Sequence, residues 1–95
     1  PPLRYDATAL PNKAAVEFAV FPGSIADNKR VVDLPLSRGT LIVLVARDGD
    51  NIVPDGSTVL RSGDVVQLLS NLTFIKDAHQ LFQSQEPAKG QTKAD

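Results

Sequence analysis

TLIVLVARDGDNIVPDG, residues 40–56, sets an apolar run dense enough to lie inside a sheet beside a loop of Asp, Gly, Asn and Pro. Leu41 to Ala46 alternates nothing, which is the pattern of a central strand covered on both faces. Arg47 marks its exit. In Asp48-Gly49 the glycine supplies the positive φ that a tight turn needs, so the chain is expected to fold back there and return as a short strand at Asn51 to Val53. A second turn follows at Pro54-Asp55-Gly56. The stretch reads as a hairpin first and as the rim of a ligand site second.

Upstream, Ala15 to Phe21 places Val16, Phe18 and Val20 on one side and Glu17 and Ala19 on the other, the period of a strand with one face buried. Pro22-Gly23 ends it. In NKRVVDLPL, Val31, Val32 and Leu34 come together at helical spacing while Pro35 disfavours helix at the residue before it, so one short helix or turn is expected. Downstream, STVL reads as a brief edge strand, RSGD as a turn, and Val65 to Ser70 as a longer strand. Leu72, Phe74, Ile75, Ala78, His79, Leu81 and Phe82 follow the spacing of an amphipathic helix, with Asn71 or Thr73 as its cap. The order predicts an α+β fold: a small sheet of four to five short, mainly antiparallel strands, one short helix, and a closing C-terminal helix.

The ends differ from this middle. Residues 1–13 carry three prolines and no sustained period, and read as a linker; residues 84–95 are polar, hold Pro87 and Gly90, and read as a tail too poor in apolar surface to offset its ordering entropy. The folding unit is thus expected over residues 14–83. With 95 residues the chain is one domain, and a domain of this size buries only about 60–65% of its unfolded surface. Burial shared with a second copy is the expected remedy, and a two-fold contact is the commonest form of it. The start at Pro1, with no methionine in the chain, reads as a segment of a longer polypeptide.

Charge and composition narrow the function. Ten basic against eleven acidic residues, with no basic cluster, argue against nucleic-acid binding. The longest apolar run is far shorter than the roughly 20 residues of a membrane-spanning helix, so no direct insertion is expected. There is no cysteine, hence no disulfide. His79 is the single histidine, which leaves any zinc set or serine triad without its partners; a packing position on the helix is the simpler reading. Asp48, Asp50 and Asp55 lie near Asn51, but the distal Glu of a calcium loop is missing, and turn carboxylates account for them. Catalytic and metal residues are therefore expected to be none. Gly63-Asp64 reads as a turn in which Asp accepts from backbone amides. Arg47 keeps two readings: a strand-end partner of Asp48, Asp50 or Asp64, or a planar fork for a phosphate or a base.

Taken in order, Lys29 before a short helix, Leu34-x-Leu36, the apolar strand Ile42 to Ala46 ending in Arg47-x-Gly49, then Pro54, Leu60 and Gly63-Asp64 form a longer pattern. It resembles the C-terminal regulatory subdomain of RCK proteins (regulators of potassium conductance), the TrkA-C domain, from Glu17 to about Phe82. Asn28 stands where that family usually has glycine, as Ser70-Asn71 does after the last strand; Asn adopts the left-handed conformation more readily than most residues.

The resemblance implies a cytosolic sensor on a potassium channel, or on a bacterial potassium/proton or sodium/proton antiporter of the cell-volume-regulation type. Such a domain works as a homodimer at the cytoplasmic face of the inner membrane, joined to the membrane transport domain of its parent chain. No G-x-G-x-x-G fingerprint is present, which favours the antiporter tail. In related domains the ligand can be a cyclic dinucleotide, notably cyclic di-AMP, whose two-fold symmetry matches a dimer. Two copies about a dyad would flank a cleft with an apolar floor and donors at its edges, suited to a flat base with a phosphate. Val43, Val45, Arg47, Asn51 and Pro54 are the expected ligand-binding positions. A purely structural dimerisation module is the competing reading, separated from the first by binding of any small metabolite. Removing the last eleven residues is expected to leave the melting temperature almost unchanged; a fall of several degrees in a thermal scan would show that this end packs.

Overall fold

A computed structural model describes residues 12–84. Residues 1–11 of the expected linker and 85–95 of the expected tail lie outside the described residues; of the rest, Asn12 O accepts from Leu72 N (2.8 Å) and Lys13 already opens the first strand. In chain order the elements are β1 (Lys13–Ala19), a 3-10 turn (Val31–Asp33), β2 (Leu41–Arg47), β3 (Asp50–Ile52), β4 (Val65–Asn71), a second 3-10 turn (Leu72–Phe74) and helix α1 (Ile75–Phe82). The sheet runs β1-β4-β2-β3 with every pair antiparallel. This is the expected α+β fold, with four strands.

β1 has the period read from its sequence. Glu17 and Ala19 are exposed, whereas Val16 and Phe18 pack against the core and Val20, just past the strand, is fully buried. On β4 the inward positions are Val66, Leu68 and Ser70. Ser70 is the polar exception, and its hydroxyl shares a 2.8 Å hydrogen bond with Thr40 Oγ1.

The missing alternation in β2 has a different cause from the one expected. The register with β4 slips between Ile42 and Leu44: Ile42 pairs with Leu68 and Leu44 with Gln67, so Val43 is an inserted residue. Such a bulge resets the two-residue phase. Ile42 and Val45, three apart, therefore both face the core, while Leu41 and Val43 are exposed on the opposite face at 58% and 41%. The strand is apolar on both sides, as read, but among the described residues only one side is covered.

The β2–β3 hairpin closes at Arg47↔Asp50 through Asp48 (φ 51°) and Gly49 (φ 83°). Two successive positive φ values are those of a type I′ turn, whose twist suits the strands it joins. The STVL segment is not a strand. It runs beside residues 28–32 in a short ribbon, with Asn28 N donating to Leu60 O (2.8 Å), Leu60 N to Lys29 O (2.9 Å) and Val31 N to Thr58 O (2.9 Å), and with a single bridge, Arg30↔Val59. Asn28 has φ 65°, the left-handed conformation foreseen for it.

α1 enters through its 3-10 turn without a side-chain cap. Asn71 is instead the last residue of β4 and its Oδ1 accepts from Lys13 Nζ (2.7 Å), and Thr73 lies inside the turn. Packing holds so short a helix where capping does not. Ala78, Leu81 and Phe82 are buried among Val20, Ala26, Leu34, Ile42, Val45, Leu60, Val66 and Leu68. His79 stays at the surface with its ring stacked on Phe18, centroids 4.7 Å apart.

The bulge makes a sharp contrast between near neighbours. Val45→Ala, in the core, is expected to lower stability by about 1–3 kcal/mol, and Val43→Thr, on the open face, by under about 0.5 kcal/mol. Urea denaturation of both variants checks this, and equal losses would contradict the phase shift.

Candidate functional site

Two features of the fold place polar side chains where they can act: a turn at the strand ends, and a groove across the open face. The turn before β4 needs Gly63 at φ 94°, which brings Asp64 back over its own backbone. Asp64 is 2% exposed, and its Oδ2 accepts from Arg61 N (2.9 Å). Arg47, leaving β2, donates Nε to Asp64 Oδ1 (2.9 Å) and Nη2 to Asp64 Oδ2 (2.8 Å) and to Val59 O (2.7 Å). Of the two readings of Arg47, the structure shows the ion pair. Burial pushes the Asp64 carboxyl up, but the Arg47 fork and the Arg61 amide outweigh it and hold the group below the ordinary carboxylate range.

The outer face of the sheet is the second feature. Cross-strand pairing places Leu41 beside Leu69, Leu44 beside Gln67, Ala46 beside Val65 and Asn51, and Glu17 beside Gln67, all pointing away from the core. A groove of about 610 Å³ runs over this face, lined by Ala15, Glu17, Val43, Gln67 and Leu69. That volume lies within the range of small-molecule sites. Its polar groups are one hydrogen-bonded pair, Gln67 Nε2 donating to Glu17 Oε2 at 3.0 Å.

The expected ligand positions divide between the two sides of the sheet. Val43 lines the groove and Asn51 shares its face, one strand further across. Val45 is fully buried on the core side, because the bulge turns it inward. Arg47 is engaged by Asp64, and Pro54 is half-buried beyond β3. Reading the sequence passed over Glu17 and Gln67 as ligand-facing residues. Their signal was present: each is the one polar residue in an otherwise apolar stretch, AVEFAVF and VVQLL, at the positions that face each other across the strands.

Nothing in the described residues gathers a metal set; no group of three or more His, Asp or Glu side chains could hold an ion. Asp55 has its own work, accepting from Ser57 N (2.8 Å) and Ser57 Oγ (2.7 Å) in its turn. No described helix is long and apolar enough to cross a membrane.

The comparisons with known proteins agree with this fold. The TrkA-C domain model matches residues 15–83. The chain belongs to the TrkA-C family. Domains of this family, the C-terminal parts of RCK regulators, are typically regulatory in potassium transport systems. The Trk system potassium uptake protein TrkA homolog of Archaeoglobus fulgidus is 42% identical over 55 residues, 58% of this chain and 13% of the relative. This TrkA-C domain thus spans a small part of that relative's length. A solved structure described as an RCK domain with cda has the same fold, with a TM-score of 0.65 at 22% identity over 73% of this chain and 97% of that one.

Because the folded Asp64 pKa is lowered, the stability it contributes is complete above its unfolded value of about 4 and is lost as pH falls through the folded value. Arg47→Ala, which strands a buried carboxylate, is expected to lower stability at pH 7 by about 2–4 kcal/mol, with the difference from the parent shrinking as pH is taken below 4. Denaturant titrations across pH check both parts; a variant as stable as the parent at pH 7 would remove the pair from the account.

Proposed function

We propose that this TrkA-C domain is the ligand-sensing, dimer-forming regulatory module of a potassium or sodium/proton antiporter or of a potassium channel, standing at the cytoplasmic face of the membrane beside the transport domain. The observation that carries the reading is the open outer face: an apolar sheet surface with no described element over it and a ligand-sized groove across it. A water-facing sheet surface ordinarily alternates to polar residues. Here Leu41, Val43, Leu44, Ala46, Val65 and Leu69 share that surface, which suits a second copy about a two-fold axis. Val43 and Asn51 are then the expected positions best placed to meet a ligand held between the copies.

Family membership, the TrkA relative and the solved RCK domain with cda support a regulatory part in cation transport. Cyclic di-AMP is the ligand that the sequence resemblance implies, and its two-fold symmetry fits a site on a dimer axis. The domain performs no reaction in this reading; bound ligand changes how the two copies pack and so biases the transporter. The second reading, a dimerisation module without a ligand, rests on the same apolar face.

Sedimentation equilibrium is expected to show a dimer for the parent chain and a monomer for Val43→Glu, which places a charge on the shared face. Calorimetry with cyclic di-AMP, ATP and NADH is expected to show binding by at least one of the three to the dimer. A parent that dimerises and binds none would leave the structural module, and a monomer indifferent to Val43→Glu would remove the face from the account.

A further inference from the structure

β1 is an edge strand, and its hydrogen-bond phase can be read from its two ends. Leu72 N donates to Asn12 O (2.8 Å) and Val20 N to Asp64 O (2.8 Å), both in the register that pairs Lys13 with Asn71. Hydrogen-bonded pairs alternate along an antiparallel ladder, so Asn12, Ala14, Val16, Phe18 and Val20 turn their backbone groups to β4. Lys13, Ala15, Glu17 and Ala19 therefore turn theirs to the free side, where no described strand meets them. β1 holds no proline and no bulge to keep another strand away. On the core side of that edge, Val16 and Phe18 are only half-buried.

We infer that residues 3–10 fold back on this edge as a fifth strand, antiparallel to β1. The chain enters β1 through Asn12, which lies in a turn at φ 62°. Pro11 before it has its φ fixed at about −65° by its ring, and proline followed by a residue of positive φ is the central pair of a type II turn. Such a turn sets Leu10 opposite Lys13, and its closing hydrogen bond runs from Lys13 N, one of the donors that β4 leaves free. The same count sets Ala9, Ala7 and Tyr5 opposite Ala14, Val16 and Phe18, and Thr8, Asp6 and Arg4 opposite Ala15, Glu17 and Ala19. The run LRYDATAL is bounded by prolines on both sides and is too short to show a period by itself, but β1 supplies the phase: Leu3, Tyr5, Ala7 and Ala9 fall on the core side and Arg4, Asp6 and Thr8 on the open side. A register one residue off would reverse both sets.

Tyr5 then lies beside Phe18, whose ring is already stacked on His79 (4.7 Å between centroids) and on Phe82 (5.8 Å), and Ala7 covers Val16. One pair is unfavourable: Asp6 meets Glu17, with Arg4 at the diagonal position to offset it. Few apolar groups and a like-charge pair make this the least firmly held strand, one that can leave while the other four stay. Ala15 and Glu17 also line the outer-face groove, so the docked segment closes its side and release of the segment opens it. The device joins the groove to the chain that enters the domain, and it holds whether or not a ligand enters.

The experiment is amide hydrogen exchange and NMR on the 95-residue chain at two protein concentrations, beside a chain lacking residues 1–10. The amides of Ala14, Val16 and Phe18 report that the sheet is folded in both. Those of Ala15, Glu17 and Ala19 are expected to exchange about tenfold or more slowly in the parent than in the shortened chain. Hα–Hα cross-peaks are expected between Tyr5 and Phe18 and between Ala7 and Val16, the non-hydrogen-bonded pairs of this register. Asp6→Lys, which makes the pair with Glu17 attractive, should slow exchange at Ala15 and Glu17 further, and Tyr5→Ser should speed it, with the even-numbered amides unchanged in both. Exchange at Ala15, Glu17 and Ala19 as fast in the parent as in the shortened chain would overturn the inference. So would cross-peaks from Arg4 or Asp6 to Phe18, which belong to the shifted register. Protection that appears only at the higher concentration would assign the edge to a second copy and overturn it as well.

Discussion

The ion pair between Arg47 and Asp64 is the constraint on which the ends of this small sheet depend. Asp64 is buried, so its charge is tolerable only because two guanidinium nitrogens and the Arg61 amide meet its oxygens. The same guanidinium reaches Val59 O, which ties the ribbon of residues 56–60 to the end of β2. From the other side, Val20 N donates to Asp64 O (2.8 Å) and Gly63 N to Val20 O (2.9 Å), fastening the end of β1 to the turn. One turn thereby gathers segments far apart in sequence. A chain with no disulfide and a core of modest size gains more from such a junction than from scattered surface pairs.

With the strand ends held, the bulge at Val43 decides what each face of the sheet can do. A regular β2 would send Ile42 and Leu44 to one side and Val43 and Val45 to the other. The inserted residue lets both Ile42 and Val45 reach the core under α1 and the ribbon, leaving Leu41, Val43 and Leu44 outside. One face is closed by the chain's own helix. The other is kept apolar and open, and it carries two cross-strand polar pairs, Glu17 with Gln67 and Lys13 with Asn71. The covered core and the open apolar face are thus two sides of the same strands, and the bulge separates them.

Membership of the TrkA-C family gives this division its functional meaning. In the reading proposed above, whatever enters the groove alters how a second copy fits on the same face, which is how binding would be coupled to a change in contacts. Of the side chains singled out from the sequence, Val43 and Asn51 lie on the open face and Val45 on the core side. Arg47 carries structure through Asp64, whereas the polar groups lining the groove, Glu17 and Gln67, come from β1 and β4.

Local rules of the chain were enough for much of this. The alternation of Val16, Glu17 and Phe18, the Asp48-Gly49 turn, the left-handed Asn28 and the spacing of Ala78, Leu81 and Phe82 each follow from side-chain size and backbone preference within a few residues. The order of motifs from Lys29 to Gly63-Asp64 was enough to place the family. Strand register was not legible, because the bulge depends on how β2 meets β4, and six apolar residues in a row look the same with or without it. The choice of Asp64 over Asp48 or Asp50 as the partner of Arg47 needed the turn at Gly63 to bring residues 47 and 64 together. So did the meeting of Glu17 with Gln67, fifty positions apart, since only the pairing of β1 with β4 sets those two side chains opposite each other on the uncovered face.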